Sequence, residues 1–156
     1  MVVGEAPGAT EDQEGIPFVG RSGMLLRKYL KEENLGPDKV FITNTVRCRP
    51  PNNRDPFPAE IYACGEHLHR VIELVRPRAL LAVGAVASKV LTGEMASMAE
   101  YRKKSGEWVY RTPYPIEFPV FCTYHPAYIL RRPDMASVLR EDLQKVRGYI
   151  DGEPSP

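Results

Sequence analysis

The sequence predicts an α/β protein of three layers, in which helices cover both faces of a central four-stranded, mostly parallel sheet. Short runs rich in β-branched and aromatic residues alternate along the chain with longer segments whose apolar residues recur at helical spacing. This alternation favours parallel strands joined by right-handed crossovers. The chain has 156 residues, which suits a single domain with one sizeable core. We expect that domain to span residues 1–150 and to be followed by a frayed tail at 151–156.

Four segments are predicted to contribute strands to the sheet. The first, MVV at 1–3, reads as the end of a strand. The second and third, KVFITNTV at 39–46 and RALLAVG at 78–84, are rich in apolar and β-branched residues, as is typical of buried strands. The segment 107–124 has two such runs around a proline-rich turn, which predicts a hairpin that feeds the fourth strand.

The helices are predicted from apolar periodicity and from the Gly and Pro residues that end them. The segment 20–36 has this periodicity and stops at Gly36-Pro37. The other predicted helices run, in chain order, from Ala59 to Val75, from 85 to the stop at Gly93, and from Met135 to Ile150. The segments 4–23 and 47–58 contain several Gly and Pro residues and are predicted to be stiff loops.

Composition limits the classes of function. A net charge of +1 means that any contact with nucleic acid must come from a local basic patch rather than from the whole molecule. Three cysteines argue against the disulfide framework of a secreted protein. No apolar run approaches the ~20 residues of a membrane span, and the N-terminus does not resemble a signal peptide. We therefore expect a soluble, cytoplasmic, monomeric protein that acts away from membranes.

Unusual residues follow the ends of the predicted strands. In open α/β sheets, ligands bind beyond the carboxyl ends of the strands. The segments 4–20, 44–54 and 123–132 lie there, and VGAVAS at 83–88 lies at the same level after the third strand. We therefore expect these distant segments to converge on one site.

Acidic residues stand out in the first of these segments. Glu5, Glu11 and Asp12 lie among Gly and Pro residues, of which Pro7 restricts the backbone and Gly8 lets it approach a ligand closely. A carboxylate held in this way could orient a water molecule or offset a developing positive charge. The alternative is an acidic loop that is simply solvated.

Two further candidates could contact a flat ligand. Phe18 lies in a loop between glycines, where it is either a hydrophobic plug or a ring on which a nucleobase stacks. Asn44 ends the second strand and could cap a turn. Its amide also presents a donor and an acceptor side by side, as reading the edge of a base requires.

The segment TYHPAYILRRP at 123–133 combines three kinds of residue. His125 is followed by Pro126, which fixes the chain, although an isolated histidine is more often structural. Apolar bulk then precedes Arg131 and Arg132. Such a mixture suits a segment that pushes into a duplex and also holds phosphates.

Taken together, the motifs resemble those of the uracil-DNA glycosylase superfamily, most like its family 4, the iron–sulfur type. The matching pieces, in the family's order and over nearly the whole chain, are GEAPGATEDQEGIPFVGRSGMLL, ITNTVRCRPPNNRDP, VGAVA and HPAYILR. The resemblance implies a DNA-repair enzyme that flips uracil out of DNA, hydrolyses its N-glycosidic bond without a lyase step, and releases free uracil.

The resemblance also implies roles for individual residues. The acidic positions correspond to Glu5 and Glu11, and which of them positions the water stays open. His125 corresponds to the histidine that faces the uracil carbonyl. The residues implied to bind the substrate are Ala6, Phe18, Asn44 and Asn53. Those implied to contact DNA, as a wedge in the minor groove, are Tyr128, Ile129 and Arg131.

The cysteines match only part of the family's pattern. Family 4 binds a 4Fe–4S cluster through four cysteines, and Cys48 and Cys64 correspond to the second pair. The first pair belongs to an N-terminal segment that has no counterpart in this sequence. Either the chain is a truncated or alternatively started form, or it is a compact member without the cluster. We expect no cluster in this chain, and a 4Fe–4S cluster only if a longer form supplies the missing pair. Cys122, within the fourth strand, is expected to be a core residue.

Two other functions remain open at this point. One is a non-catalytic relative that binds uracil or DNA without turnover. The other is a glycosylase of the same fold that removes a different deaminated base, such as hypoxanthine or xanthine.

Overall fold

The computed structural model describes residues 1–114 and 116–152. Its five-stranded sheet has the order β2-β1-β3-β5-β4, and β1, β2, β3 and β5 are parallel. The strands are β1 (Val2–Gly4), β2 (Ile42–Asn44), β3 (Leu80–Val83), β4 (Trp108–Arg111) and β5 (Glu117–Thr123). The α-helices are α1 (Ala9–Glu14), α2 (Arg21–Glu32), α3 (Pro58–Val75), α4 (Ala85–Thr92), α5 (Met98–Lys103), α6 (Pro126–Arg131) and α7 (Ala136–Asp151). Short 3₁₀ helices occur at Pro51–Asn53 and Pro133–Met135.

The predicted α/β architecture is confirmed, with one more strand than expected. The extra strand is β4, the first arm of the predicted hairpin, which pairs antiparallel with β5 from Trp108 opposite Val120 to Arg111 opposite Glu117. Because this arm hydrogen-bonds into the same sheet, it is a fifth strand at the edge and not only a lead-in to the fourth.

Each face of the sheet is covered by its own apolar layer. Alternate residues of β3 point to opposite faces, and all of them are buried. On one face, Leu81 belongs to a cluster with Leu26 of α2 and Leu143 of α7. On the other, Leu80 belongs to a cluster with Ile72 of α3 and further residues of α4 and α5. Helices therefore cover both faces of the sheet, in the three layers predicted.

Cys122 lies in the second of these clusters and is fully buried. Burial raises the pKa of its thiol to about 11. It is therefore a core residue, as expected from its position in a strand.

Three short helices were not predicted. The acidic segment expected to be a loop contains α1, which begins after Gly8, whose N–H donates to the carboxylate of Glu11, and ends at the left-handed Gly15. The segment after β5 contains α6, whose first residue is Pro126. Proline is tolerated at that position because the first N–H groups of a helix have no intrahelical partner. The third, α5, lies between α4 and β4 and is capped by Ser97.

The last helix extends one residue beyond the expected domain boundary, to Asp151, and ends at the left-handed Gly152. The rest of the predicted tail, 153–156, lies outside the described residues, so the boundary at 150 stays a prediction. Within the described ranges, no helix is both long enough and apolar enough to cross a membrane.

Candidate active site

A cavity of about 610 Å³ opens at the carboxyl ends of the parallel strands. The three segments that follow β1, β2 and β5 all contribute to its wall, although they are far apart in sequence. The lining residues are Glu5, Ala6, Pro7, Gly8, Glu11, Phe18, Ser22, Gly23, Asn44, Pro50, Asn53, Arg54, Asp55, His125, Ala127, Tyr128 and Arg131. Most of the residues selected from the sequence therefore lie around one space.

Glu5 follows directly after β1. Its backbone carbonyl accepts a hydrogen bond from the hydroxyl of Thr45 (2.6 Å), and the N–H of Thr45 donates to the carbonyl of Gly4 (2.8 Å). These bonds tie the ends of β1 and β2 together. Burial raises the pKa of Glu5 to about 7, and the negative charge and hydrogen bond of Asp55 add to the effect. Glu5 can therefore gain or lose a proton near neutral pH.

Glu11 has the opposite environment. Its carboxylate accepts backbone hydrogen bonds from Gly8 (3.1 Å), Val19 (2.9 Å) and Gly20 (2.5 Å). Burial alone would raise the pKa of Glu11, but the hydrogen bonds from Gly20, Val19 and Gly8 outweigh it and hold the pKa below its ordinary value. The side chain thus fastens the loop between α1 and α2.

Phe18 combines the two readings offered by the sequence. It is only 7% exposed and packs with the core, yet its ring lines the cavity. The ring lies so close to Gly4 that a Cβ atom there would be 2.3 Å from it. Phe18 has a φ of 54°, and Arg27 donates to its carbonyl (2.7 Å). This left-handed backbone is therefore held by a side chain of α2.

Asn44 is the last residue of β2 and is 7% exposed. Its amide oxygen lies against Gly4, where a Cβ atom would come within 2.5 Å of it. Among residues 1–114 and 116–152, no group forms a hydrogen bond with this amide. A buried amide of this kind is satisfied when a ligand in the cavity supplies the partner.

His125 precedes α6 and caps it. Its Nδ1 accepts a hydrogen bond from the N–H of Ala127 (3.1 Å), so the neutral ring carries its proton on Nε2. Burial lowers the pKa of His125, the charge of Arg131 lowers it further, and Glu11 opposes the shift. The ring is therefore a neutral donor at pH 7. Its centroid lies 6.4 Å from that of Phe18.

The segment VGAVAS supports the site without lining it. Gly84 has a φ of 90°, and a Cβ atom there would lie 3.2 Å from the Cβ of His125. The N–H of Gly84 donates to the carbonyl of Thr123 (2.8 Å). This segment therefore packs against His125 on the side away from the cavity and limits where the histidine can lie.

Asn53 lies at the exposed rim. It and its neighbour Asn52 both have left-handed φ values, 54° and 55°, a conformation that asparagine tolerates better than most residues. Arg49 donates from Nε to the amide oxygen of Asn53 (2.8 Å). The amide nitrogen of Asn53 is thereby left as the group that can donate to a ligand.

The predicted DNA-contacting residues divide between two faces of α6. Tyr128 and Arg131 line the cavity. Ile129 is 2% exposed and belongs to the core, so its assignment to a DNA-contacting wedge is corrected. Residues three apart share a face of a helix. Pro126 and Ile129 face inward, whereas Tyr128 and Arg131 face the cavity.

Sequence reasoning missed Asp55, Arg54 and Ser22. Asp55 contacts Glu5, from a loop that the sequence shows only as proline-rich. The only sequence signal for Asp55 was a carboxylate directly after the polar run NNR, and this signal does not indicate that its partner is Glu5. Ser22 and Arg54 belong to elements whose orientation toward the cavity depends on tertiary packing.

The cysteines do not by themselves make a complete metal site. Cys48 is exposed, Cys64 is half-buried and Cys122 is in the core. Within the described part of the chain, no group of three or more His, Cys, Asp or Glu side chains is placed to hold a metal. The described residues therefore do not fit a cluster that needs four thiolates.

Comparison with known proteins agrees with these features. Residues 1–147 match the model of the uracil DNA glycosylase superfamily. The chain is 45% identical over 152 residues to a Type-4 uracil-DNA glycosylase of Sulfurisphaera tokodaii. The aligned region covers 94% of this chain and 68% of the relative. It is 40% identical over 156 residues to a protein of the same name from Thermotoga maritima, and this aligned region covers 98% of this chain and 78% of the relative. The resemblance noted in the sequence is confirmed, and the chain belongs to the uracil DNA glycosylase superfamily.

Proposed function

We propose that this protein excises uracil from DNA by hydrolysing the N-glycosidic bond after the base has been flipped out of the helix. The observation that carries the proposal is the convergence of Phe18, Asn44 and His125 on one cavity beside a carboxyl group, Glu5, of raised pKa. Relatives at 38–45% identity that are named Type-4 uracil-DNA glycosylases support it.

The base is recognised by stacking and by edge contacts. The ring of Phe18 offers an apolar face to a flat base. The Asn44 amide can accept from the N3–H of uracil and donate to the adjacent carbonyl. Cytosine presents an acceptor and a donor in the reverse order, so the same amide would leave both groups unpaired. Asn44 thus favours uracil over cytosine.

His125 stabilises the departing base. When the C1′–N1 bond breaks, its electron pair leaves with uracil, and negative charge spreads to the carbonyl oxygens. The Nε2–H of the neutral His125 donates to one of these oxygens. Because Nδ1 is fixed by Ala127, the donor is oriented before the base arrives. No proton need be transferred from the ring.

Glu5 is the residue that positions water, and Glu11 is not. The oxygen of a water molecule bonds to C1′, and the proton that it loses passes to the Glu5 carboxylate, whose charge also offsets the positive charge on the sugar. Glu11 is fully engaged by three backbone N–H groups. Its task is to hold the loop that carries Phe18.

The DNA backbone is bound at the rim. Arg131 is exposed at the edge of the cavity and provides a positive charge for phosphate. Tyr128 and the free amide nitrogen of Asn53 flank the entrance. These contacts orient the strand without reading its sequence.

The experiment is excision from oligonucleotides that contain one uracil, in single- and double-stranded form. Free uracil should be released, and strands should break only after alkali treatment. Matched oligonucleotides with thymine, cytosine or hypoxanthine serve as controls. Binding of uracil-DNA without release of the base would replace the proposal with a non-catalytic relative. Release of hypoxanthine but not of uracil would change the substrate.

An iron assay with a visible absorption spectrum tests the cofactor separately. A 4Fe–4S cluster would require Cys48 and Cys64 together with two thiolates from elsewhere. The excision chemistry above uses side chains of the cavity and runs without passing through such a cluster.

A further inference from the structure

A second carboxyl group faces Glu5 across the cavity. Asp55 is an exposed residue of the loop between the 3₁₀ helix at Pro51–Asn53 and α3, and its side chain acts on the Glu5 carboxyl through its charge and a hydrogen bond. Both residues line the cavity. Two carboxyl groups can share a hydrogen bond only when one of them carries a proton.

The backbone around Asp55 is held by its neighbours. The guanidinium of Arg54 donates to the carbonyl of Asp55 (3.1 Å) and to both carboxylate oxygens of Glu60 (2.6 and 3.2 Å). It also lies over the ring of Phe57, 3.7 Å from the centroid. The N–H of Phe57 donates to Glu60 (2.7 Å). The loop on either side of Asp55 is therefore anchored to the start of α3.

The other charges around the cavity do not neutralise the pair. The remaining ionisable side chains that line it are Glu11, Arg54, His125, Tyr128 and Arg131. Arg54 is occupied by Glu60, and Glu11 by backbone amides. The charge of Arg131 acts on His125. In the part of the chain that the structure describes, neither Glu5 nor Asp55 forms a salt bridge.

We propose that Asp55 is a positioning residue for Glu5, and that the two carboxyl groups share one proton whose loss makes Glu5 able to accept a proton from water. The proposal rests on the proposed function, in which Glu5 positions the attacking water. Asp55 does not touch the substrate in this scheme. It acts through Glu5 alone.

The proton can be followed through the reaction. Below a pH of about 7 Glu5 keeps the proton and uses it to donate a hydrogen bond to the Asp55 carboxylate. As the pH rises the proton of Glu5 passes to solvent, and Glu5 becomes a carboxylate. When water attacks the sugar, its proton goes to Glu5 and is again stabilised by Asp55. The pair is thus inactive in acid and ready to accept a proton above neutrality.

The test compares single-turnover excision rates against pH for the wild type, Asp55→Asn and Asp55→Glu. Asp38→Asn is the matched control, because Asp38 is exposed and lies outside the cavity. The acid limb of the wild type should have its midpoint near the pKa of Glu5, about 7. In Asp55→Asn the midpoint should fall by about one pH unit, because a like charge is removed. Normalised to the plateau, the rate at pH 6 would then rise about fivefold.

The variant that keeps the charge, Asp55→Glu, should keep the acid limb within about 0.3 pH unit of the wild type. Asp38→Asn should superimpose on the wild type. An acid limb that stays in place in Asp55→Asn, while that variant remains folded by circular dichroism, would overturn the proposal.

A second readout does not depend on activity. The carboxyl carbon of Glu5, assigned by its loss in Glu5→Gln, can be titrated by ¹³C NMR in the free protein. The pKa of Glu5 should be about 7 in the wild type and lower in Asp55→Asn. If the wild type excises no uracil at any pH, the proposed function fails, and the titration still tests the pair. An ordinary pKa for Glu5 in the wild type contradicts the pair even if Asp55→Asn does not fold.

Discussion

Glu5 and Glu11 are carried by the same short segment and line the same cavity, yet their carboxyl groups have opposite surroundings. Glu11 receives three backbone hydrogen bonds, which keep it charged and keep its pKa low. Glu5 is partly buried beside another carboxyl group, and its pKa is raised to about 7. One side chain is held still by the fold, and the other is poised to exchange a proton.

The difference shows that the chemistry of a carboxylate is decided by its neighbours. The partners of Glu11 are close to it in the chain, at Gly8, Val19 and Gly20. The partner of Glu5 is Asp55, which comes from a different loop and meets it only because β1 and β2 lie side by side. A low pKa suits a structural clasp, whereas a raised pKa suits a group that accepts a proton during turnover.

Glu5→Gln is the strongest test of this contrast. Removing the proposed proton acceptor should slow excision by about 1,000-fold at saturating DNA. The fold should be maintained, because Glu5 forms its structural hydrogen bonds through its backbone. Single-turnover kinetics and thermal unfolding measure the two effects. If Glu11→Gln slows excision as much as Glu5→Gln while remaining folded, the assignment of the two roles is reversed.

His125 unites both kinds of role, since it caps α6 and also lines the cavity. His125→Ala should slow excision by about 100-fold and should weaken DNA binding much less. It should also destabilise the protein by about 1 kcal/mol, because a helix cap is lost.

His125→Asn separates the two roles. Asparagine can accept the hydrogen bond at the start of α6, so the free energy of unfolding should recover toward the wild type. The excision rate should stay low, because the amide does not reproduce the position of the Nε2–H. Recovery of both quantities would mean that His125 serves the reaction only by holding α6.

Much of the fold follows from local pattern. The β3 segment was predicted because a buried strand is a short continuous apolar run, and the α3 segment because an amphipathic helix repeats its apolar residues at helical spacing. The hairpin arm β4 was not predicted to join the sheet, because an edge strand is defined by its pairing with its partner, β5, rather than by its own residues. The helix α1 was missed because the surrounding Gly and Pro residues disfavour a helix. Its first turn is stabilised by a hydrogen bond from the N–H of Gly8 to the side chain of Glu11, which the sequence pattern does not reveal.

The site was predictable in outline and not in detail. The rule for the carboxyl ends of parallel strands places Asn44 and His125 near one another without any knowledge of the structure. It does not reveal which carboxylate is clasped by amides, because backbone hydrogen bonds leave no trace in residue type. It also placed Ile129 with Tyr128, although helical geometry sends the first to the core and the second to the cavity.

Glu11→Gln tests the structural half of the contrast. The amide has one acceptor oxygen in place of two, so some backbone N–H groups lose their partner, and the free energy of unfolding should fall by about 1–3 kcal/mol at pH 7. A group whose pKa is lowered by folding stabilises the protein above its ordinary pKa, here 4.5. That contribution is lost as the pH falls through the lower pKa of the folded state.

The pH dependence of unfolding provides the check on Glu11. The gap in stability between wild type and Glu11→Gln should be full at pH 7 and should narrow as the pH falls below 4.5. Urea unfolding at several pH values measures it. A gap of the same size at every pH would show that the loss comes from altered packing and not from the charged acceptor.

Arg131→Ala has the smallest expected effect. It tests whether the positive charge at the rim of the cavity contacts a DNA phosphate. Arg131 is exposed at the rim, and its charge lowers the pKa of His125. Its loss should weaken DNA binding a few-fold and reduce the slope of log K against log salt by about 1, as expected for one phosphate contact. The neighbouring Arg132→Ala is the matched control, because Arg132 is paired with Asp134 and does not line the cavity.

Titration of labelled uracil-DNA at several salt concentrations distinguishes Arg131→Ala from Arg132→Ala. Equal slopes for both variants would place the phosphate contact elsewhere on the rim, and the positive charge of Arg131 would then act only on the imidazole beside it.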